Sequence, residues 1–183
     1  PVKLCKTFLA GSQVHVGAAI AFPLGQTTLE DKLSETRNAI KNGADEIDYV
    51  VNLTKLKAGD TAYIESEMAR ITDICREFSV VSKVIFENCY LTEDEKKTLC
   101  HIATKVKPDF IKTSTGFGTG GATFEDVALM KRETEGSGVK IKAAGGIRTL
   151  KTALEMINLG VSRIGSTSSV AIMEEYMANS PLL

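Results

Sequence analysis

The sequence has no excess of basic charge. Lys and Arg total 22 against 23 Asp and Glu in 183 residues, a formal net charge of −1. Proteins of nucleic acids or membrane surfaces usually carry a strong basic excess, so neither partner is expected. No run approaches the roughly 18 apolar residues that a bilayer-spanning helix needs. There are only two histidines, His15 and His101, and the four cysteines (Cys5, Cys75, Cys89, Cys100) lie far apart with no C-x-x-C pair. A zinc site would have to be assembled from scattered ligands, so no metal is expected. Free thiols in a reducing, cytoplasmic setting are the simpler reading. The opening segment PVKLCKTFLAGS carries Lys3 and Lys6 within its short apolar stretch, which is wrong for a signal peptide. Disordered, collagenous, disulfide-framework and integral-membrane classes are excluded.

What the chain does have is alternation. It is 43% hydrophobic and 25% charged, enough for one full core, and residues 1–183 read as a single domain. Apolar, β-rich runs occur at Val14–Ala21, Glu46–Val51, Val80–Phe86, Phe110–Thr113, Val139–Ala143 and Arg163–Gly165. Amphipathic stretches lie between them, each with a start signal. Thr28 precedes LEDKLSETRNAIKN and Gly43 stops it; Asp60 precedes TAYIESEMARITDICREF; Thr92 with Glu95 forms a capping box; Thr123 and Thr149 occupy the same position farther on. A last helix is expected over roughly Ser169–Ala178 and a first over Pro1–Leu9. Strand then helix, six times over, points to parallel βα units.

Two architectures fit this pattern. An open doubly wound sheet would make the strands almost purely apolar. A closed (β/α)8 TIM barrel puts one parity of each strand inside, with its active site at the strands' C-terminal ends. Charges alternate here near those ends: Glu46 with Asp48, Lys83 with Glu87, Lys140 with Lys142. The intervening Ile47, Val84, Phe86, Val139 and Ile141 suit an outer face covered by helices. The barrel is favoured, with six βα units present and two strands short of closure.

Lys112 and Lys142 each close an expected strand, and those strands are consecutive, so the two side chains should be neighbours. A lysine attacks a carbonyl only as the free amine, and at an ordinary pKa of ~10.4 very little is free at pH 7. A second ammonium ~5 Å away, at an effective dielectric of ~20, favours the amine by about 3 kcal/mol, and partial burial adds to this. The pair suits Schiff-base formation. Spacing alone fits equally well with a lysine salt-bridged to Asp48 or Glu87. Glycine-rich turns follow both lysines (Gly116-Phe-Gly118-Thr-Gly120-Gly121 and Gly145-Gly146), and Gly165 follows the last strand. Any one of them could be a tight βα loop; beside a lysine pair they read as a cradle for a phosphorylated carbonyl compound.

The strings GADEID (Gly43–Asp48), FIKTSTGFGTGGAT (Phe110–Thr123), KAAGGIRT (Lys142–Thr149) and RIGSTS (Arg163–Ser168) resemble deoxyribose-phosphate aldolases. FPLG at Phe22–Gly25 and CYLT at Cys89–Thr92 match as well, in order along almost the whole chain. The resemblance implies a class I aldolase on a (β/α)8 barrel with no metal or organic cofactor. Such an enzyme cleaves 2-deoxy-D-ribose 5-phosphate to D-glyceraldehyde 3-phosphate and acetaldehyde in deoxyribonucleotide breakdown. By position, Lys112 matches the Schiff-base lysine, Lys142 the second lysine that depresses its pKa, and Asp48 the carboxylate that shuttles protons with Lys142. Thr113, Thr115, Gly116, Gly145, Gly146, Gly165, Thr167 and Ser168 match substrate- and phosphate-binding positions.

Family members ordinarily begin with a strand, a helix and a second strand that have no counterpart ahead of Pro1. An unclosed barrel leaves two strand edges bare. Pairing between chains is the expected remedy, and a homo-oligomer the expected state. Two other readings stay open at this point: another Schiff-base or sugar-phosphate barrel enzyme, and a truncated, non-catalytic relative that binds a phosphorylated ligand or serves as an oligomer partner.

Overall fold

A computed structural model of the chain describes residues 1–179. Six strands form one parallel sheet in chain order: β1 (Gly17–Ile20), β2 (Glu46–Val50), β3 (Val81–Ile85), β4 (Phe110–Lys112), β5 (Lys140–Ala144) and β6 (Arg163–Gly165). The sheet curls into part of a (β/α)8 barrel, with helices on its convex side. Among the described residues these helices are α1 (Val2–Phe8), α2 (Leu29–Lys41), α3 (Leu53–Lys57), α4 (Thr61–Glu77), α5 (Glu93–Val106), α6 (Phe124–Glu133), α7 (Leu150–Asn158) and α8 (Ser169–Asn179).

Capping sets where the longer helices begin. The side chains of Thr28, Asp60, Thr92, Thr123 and Thr149 each accept a main-chain N–H from the first turn, and Thr92 with Glu95 completes the reciprocal box. Two elements went unanticipated. Asn52 caps the five-residue α3, and a single 3-10 turn covers Asn88–Tyr90. Strand β1 also starts later than its apolar run, at Gly17 instead of Val14. The Val16 carbonyl there already accepts from the main-chain N–H groups of both Asp45 and Glu46.

The parity argument holds on both sides of the sheet. Ile47, Val84, Phe86, Ile111 and Ile141 point outward into the main core, where Ile64, Met68, Ile71, Leu99, Val127 and Met130 of the helices meet them. The opposite parity carries charge. Register places Asp48 beside Lys83 and Lys112 beside Lys142, all facing the inside of the arc. A sheet buried on one face by hydrocarbon and lined on the other by charged groups needs those charges to pair with one another.

Candidate active site

The interior charges converge on Asp48. Its Oδ2 accepts hydrogen bonds from Lys112 Nζ at 2.8 Å and Lys142 Nζ at 2.7 Å, while its Oδ1 accepts from Lys83 Nζ at 2.5 Å. Because one oxygen holds both Lys112 and Lys142, their nitrogens lie within about 5.5 Å of each other, a range at which ammonium groups repel appreciably in a partly buried site. Burial pushes the Asp48 carboxyl up, but the charges of Lys112, Lys83 and Lys142 outweigh it and hold the group well below the usual carboxylate range. Lys142 is pulled below an ordinary lysine, first by burial; Asp48 opposes this, and the repulsion of Lys112 and Lys83 adds to it. Asp48 Oδ2 is thus shared by Lys112 and Lys142 at nearly equal distances.

Glu87 was expected to point inward with Lys83. The backbone of Glu87 is left-handed (φ 56°), and this turns its side chain toward the loop after β4. There it accepts from Thr115 N at 3.1 Å and from the Thr115 hydroxyl, and Thr115 Oγ1 in turn accepts from Phe117 N at 3.0 Å. Glu87 thus braces the β4–α6 loop and takes no part in the lysine cluster. The loops above the cluster are pressed together at the backbone. A Cβ on Gly121 would lie 2.3 Å from the carbonyl oxygen of Gly145, so glycine is required there by main-chain contact.

Beyond the lysines opens a cavity of about 390 Å3. Lys112 and Lys142 form its floor; Thr115, Gly116, Gly145, Gly146, Gly165 and Thr167 line its walls. Gly145 and Gly146 both have positive φ (85° and 78°), a turn that directs successive N–H groups toward one side. Thr113 is buried and spends its hydroxyl on the main chain of Ala144, accepting from its N and donating to its O, both at 3.1 Å. Ser168 donates its N–H to Ser166 Oγ at 2.9 Å, just ahead of α8. Those two are neighbours of the cavity and not its lining. Ile147, Arg148 and Ser166 line it without having been singled out for that place, although the run GGIRT and the hydroxyl cluster after Gly165 were the available signals.

A model of the DeoC/LacD family aldolases matches residues 4–167. The chain belongs to that family. It is 57% identical over 172 residues to the deoxyribose-phosphate aldolase of Lactobacillus acidophilus, covering 94% of this chain and 72% of the relative. Identity to the enzyme of the same name from Thermococcus kodakarensis is 49% over 175 residues, with 94% and 78% covered. Among solved structures, the aldolase QR15 superposes with a TM-score of 0.90 at 40% identity, covering 97% of this chain and 78% of that one. The deoxyribose phosphate aldolase of Aeropyrum pernix, described as having a unique tetrameric structure, superposes with a TM-score of 0.85 at 28% identity over 98% and 74%. As in these relatives, the frame of this DeoC/LacD aldolase is the barrel, which accounts for the inward charges that an open doubly wound sheet would not tolerate. No helix among the described residues is long and apolar enough to cross a membrane.

Proposed function

We propose that this chain, as one domain over residues 1–183, is a class I aldolase that cleaves 2-deoxy-D-ribose 5-phosphate to D-glyceraldehyde 3-phosphate and acetaldehyde. The observation that carries the reading is the Lys112–Asp48–Lys142 triangle at the floor of a glycine-walled cavity. The names of the relatives supply the substrate.

Lys112 is the nucleophile in this reading. Its amine adds to the C1 aldehyde of the open-chain sugar, and loss of water leaves a protonated imine. A base removes the proton of the C3 hydroxyl, the C2–C3 bond breaks, and its electron pair flows into the iminium to give an enamine. Glyceraldehyde 3-phosphate departs. Protonation at C2 and hydrolysis of the imine release acetaldehyde and restore Lys112. Lys142, joined to Lys112 through Asp48 Oδ2, gives and takes these protons in this reading. Asp48 orients both ammonium groups, balances the charge that moves between them and shuttles protons with Lys142. The cavity fits a phosphate at its glycine turns, with Arg148 and the hydroxyls of Thr115, Ser166 and Thr167 among its walls. Thr113 and Ser168 act one step back, holding β4 to β5 and shaping the turn before α8.

The reading includes a homo-oligomer in the cytoplasm. Exposed Leu154, Ile157, Val170, Met173 and Met177 on α7 and α8 support the first, as does the tetrameric Aeropyrum pernix relative. Four unpaired cysteines support the second. Product analysis with deoxyribose 5-phosphate tests the reaction. Stoichiometric acetaldehyde and glyceraldehyde 3-phosphate are expected. A phosphorylated sugar isomer with no acetaldehyde would refute the reading.

A further inference from the structure

Lys83 lies against Asp48 yet has no step in the reaction above. Its side chain is 1% exposed, and its ammonium bonds Asp48 Oδ1 and Glu46 Oε2, each at 2.5 Å. Glu46 is independently held by Arg163 Nη1, 2.6 Å from both carboxylate oxygens, and by His15 Nδ1 at 2.8 Å. We propose that Lys83 is a positioning residue for the aldol site: it turns Asp48 so that Oδ2 faces Lys112 and Lys142, and it supplies a third positive charge that favours release of a proton from that pair. The proposal rests on the aldolase reading and extends it to a residue outside the reacting groups.

Stability alone does not call for an ionic cluster here. Apolar side chains of similar volume in place of all of Lys83, Glu46 and Asp48 would commonly serve a buried position at least as well, whereas removing Lys83 alone leaves two carboxylates short of a partner. Nor does Lys83 tie distant parts of the chain together, since β2 and β3 are already paired along five residues. What Lys83 does uniquely is occupy Oδ1. Asp48 then has one oxygen left, and that oxygen meets both site lysines. Remove Lys83, and Asp48 can rotate to give each lysine its own oxygen, which separates the two ammonium groups and weakens their mutual repulsion.

The charge argument runs the same way. Lys83 faces Glu46 and Asp48 from β2, Lys112 from β4 and Lys142 from β5, with Arg163 of β6 and His15 one bond farther along through Glu46. On the far side of β3, Asp109 pairs with Ser82, and Cys75 of α4 is a buried thiol. Asp48 and Glu46 thus sit among four basic side chains, Lys83, Lys112, Lys142 and Arg163. Removing one of the four favours proton retention by those that remain.

The test compares Lys83→Met and Lys83→Gln, both neutral, with Lys83→Arg, which keeps the charge, all in the full chain. The pH profile of kcat/KM for deoxyribose 5-phosphate is read along with KM, and borohydride trapping at Lys112 serves as the control on the wild type. The neutral variants are expected to move the ascending limb alkaline by about 1–2 pH units and to lower kcat by about tenfold or more near neutrality. KM should change less, because the phosphate turns make no contact with Lys83. Lys83→Arg should keep the limb where the wild type has it. A folded neutral variant with an unmoved limb overturns the proposal, however far kcat falls. So does failure of both neutral variants to fold while Lys83→Arg folds, which would assign Lys83 to the scaffold. A wild type that neither cleaves substrate nor traps at Lys112 overturns the aldolase reading and this proposal with it.

Discussion

Replacing Lys142 with leucine removes one ammonium from the triangle and keeps much of its hydrocarbon, at a side chain only 15% exposed. Two unit charges about 5.5 Å apart at an effective dielectric of ~20 repel by about 3 kcal/mol, or roughly two pKa units. This repulsion favours loss of one proton from the pair as a whole. Asp48 attracts both and offsets part of it, which leaves an expected change of about 1–2 units. In Lys142→Leu the repulsion is gone and Asp48 has one ammonium fewer to share. Both effects favour a protonated Lys112, so the ascending limb of kcat/KM should move to higher pH by that amount. At pH 7 the free-amine supply should fall by roughly 10–100-fold, and lost proton transfer should lower kcat further at every pH. The assay is a coupled measurement of glyceraldehyde 3-phosphate release from pH 6 to 10, with circular dichroism to confirm the fold. An unmoved limb in a folded, weakly active variant would refute the coupling.

Three further outcomes follow from the geometry. Burial pushes the Glu46 carboxyl up, but hydrogen bonds from Lys83, Arg163 and His15 outweigh this and hold it at about 2, against 4.5 for the free group. Its stabilisation, at most about 3 kcal/mol, is thus fully present above pH 4.5 and lost as pH falls through about 2; Glu46→Gln should flatten acid unfolding across that window in denaturant titrations, and an unchanged acid limb would count against it. Lys32 and Glu67 bridge α2 and α4 at 2.7 Å with both side chains fully buried, and they hold the end of β2 through Val50 O and Asn52 N. Glu67→Ala should cost about 3–5 kcal/mol by urea unfolding while Lys32→Met with Glu67→Leu costs far less, and equal losses would contradict that account. Gly121→Ala should raise KM for the phosphorylated substrate, because its Cβ would force apart the loops after β4 and β5; an unaltered KM in steady-state kinetics would show that the cavity tolerates the displacement.

Much of the frame was legible because it is written locally. Threonine and aspartate caps, strand parity and the six-fold βα alternation each depend on a few neighbouring residues, and all reappear in the structure. Parity also placed Asp48, Lys83, Lys112 and Lys142 on one side of the sheet. It could not say which oxygen each lysine would take, since that depends on rotamers chosen in competition. Glu87 shows the limit most clearly: a single left-handed residue past the strand end redirects a side chain that periodicity had aimed inward. The Lys32–Glu67 bridge was equally hidden, because charges on an amphipathic helix read as solvent-facing until the neighbouring helix is placed over them. The short α3 and the 3-10 turn are too brief to show a helical period.

The assignment of Lys112 as the imine-forming residue is tested most directly by chemical trapping. Incubating the protein with deoxyribose 5-phosphate and sodium borohydride, then digesting it for mass spectrometry, should place a reduced two-carbon adduct on the peptide bearing Lys112 and inactivate the enzyme irreversibly. The adduct should be absent in Lys112→Arg and strongly reduced near neutral pH in Lys142→Leu. An adduct confined to Lys142, or full cleavage activity with no adduct on either lysine, would contradict the account.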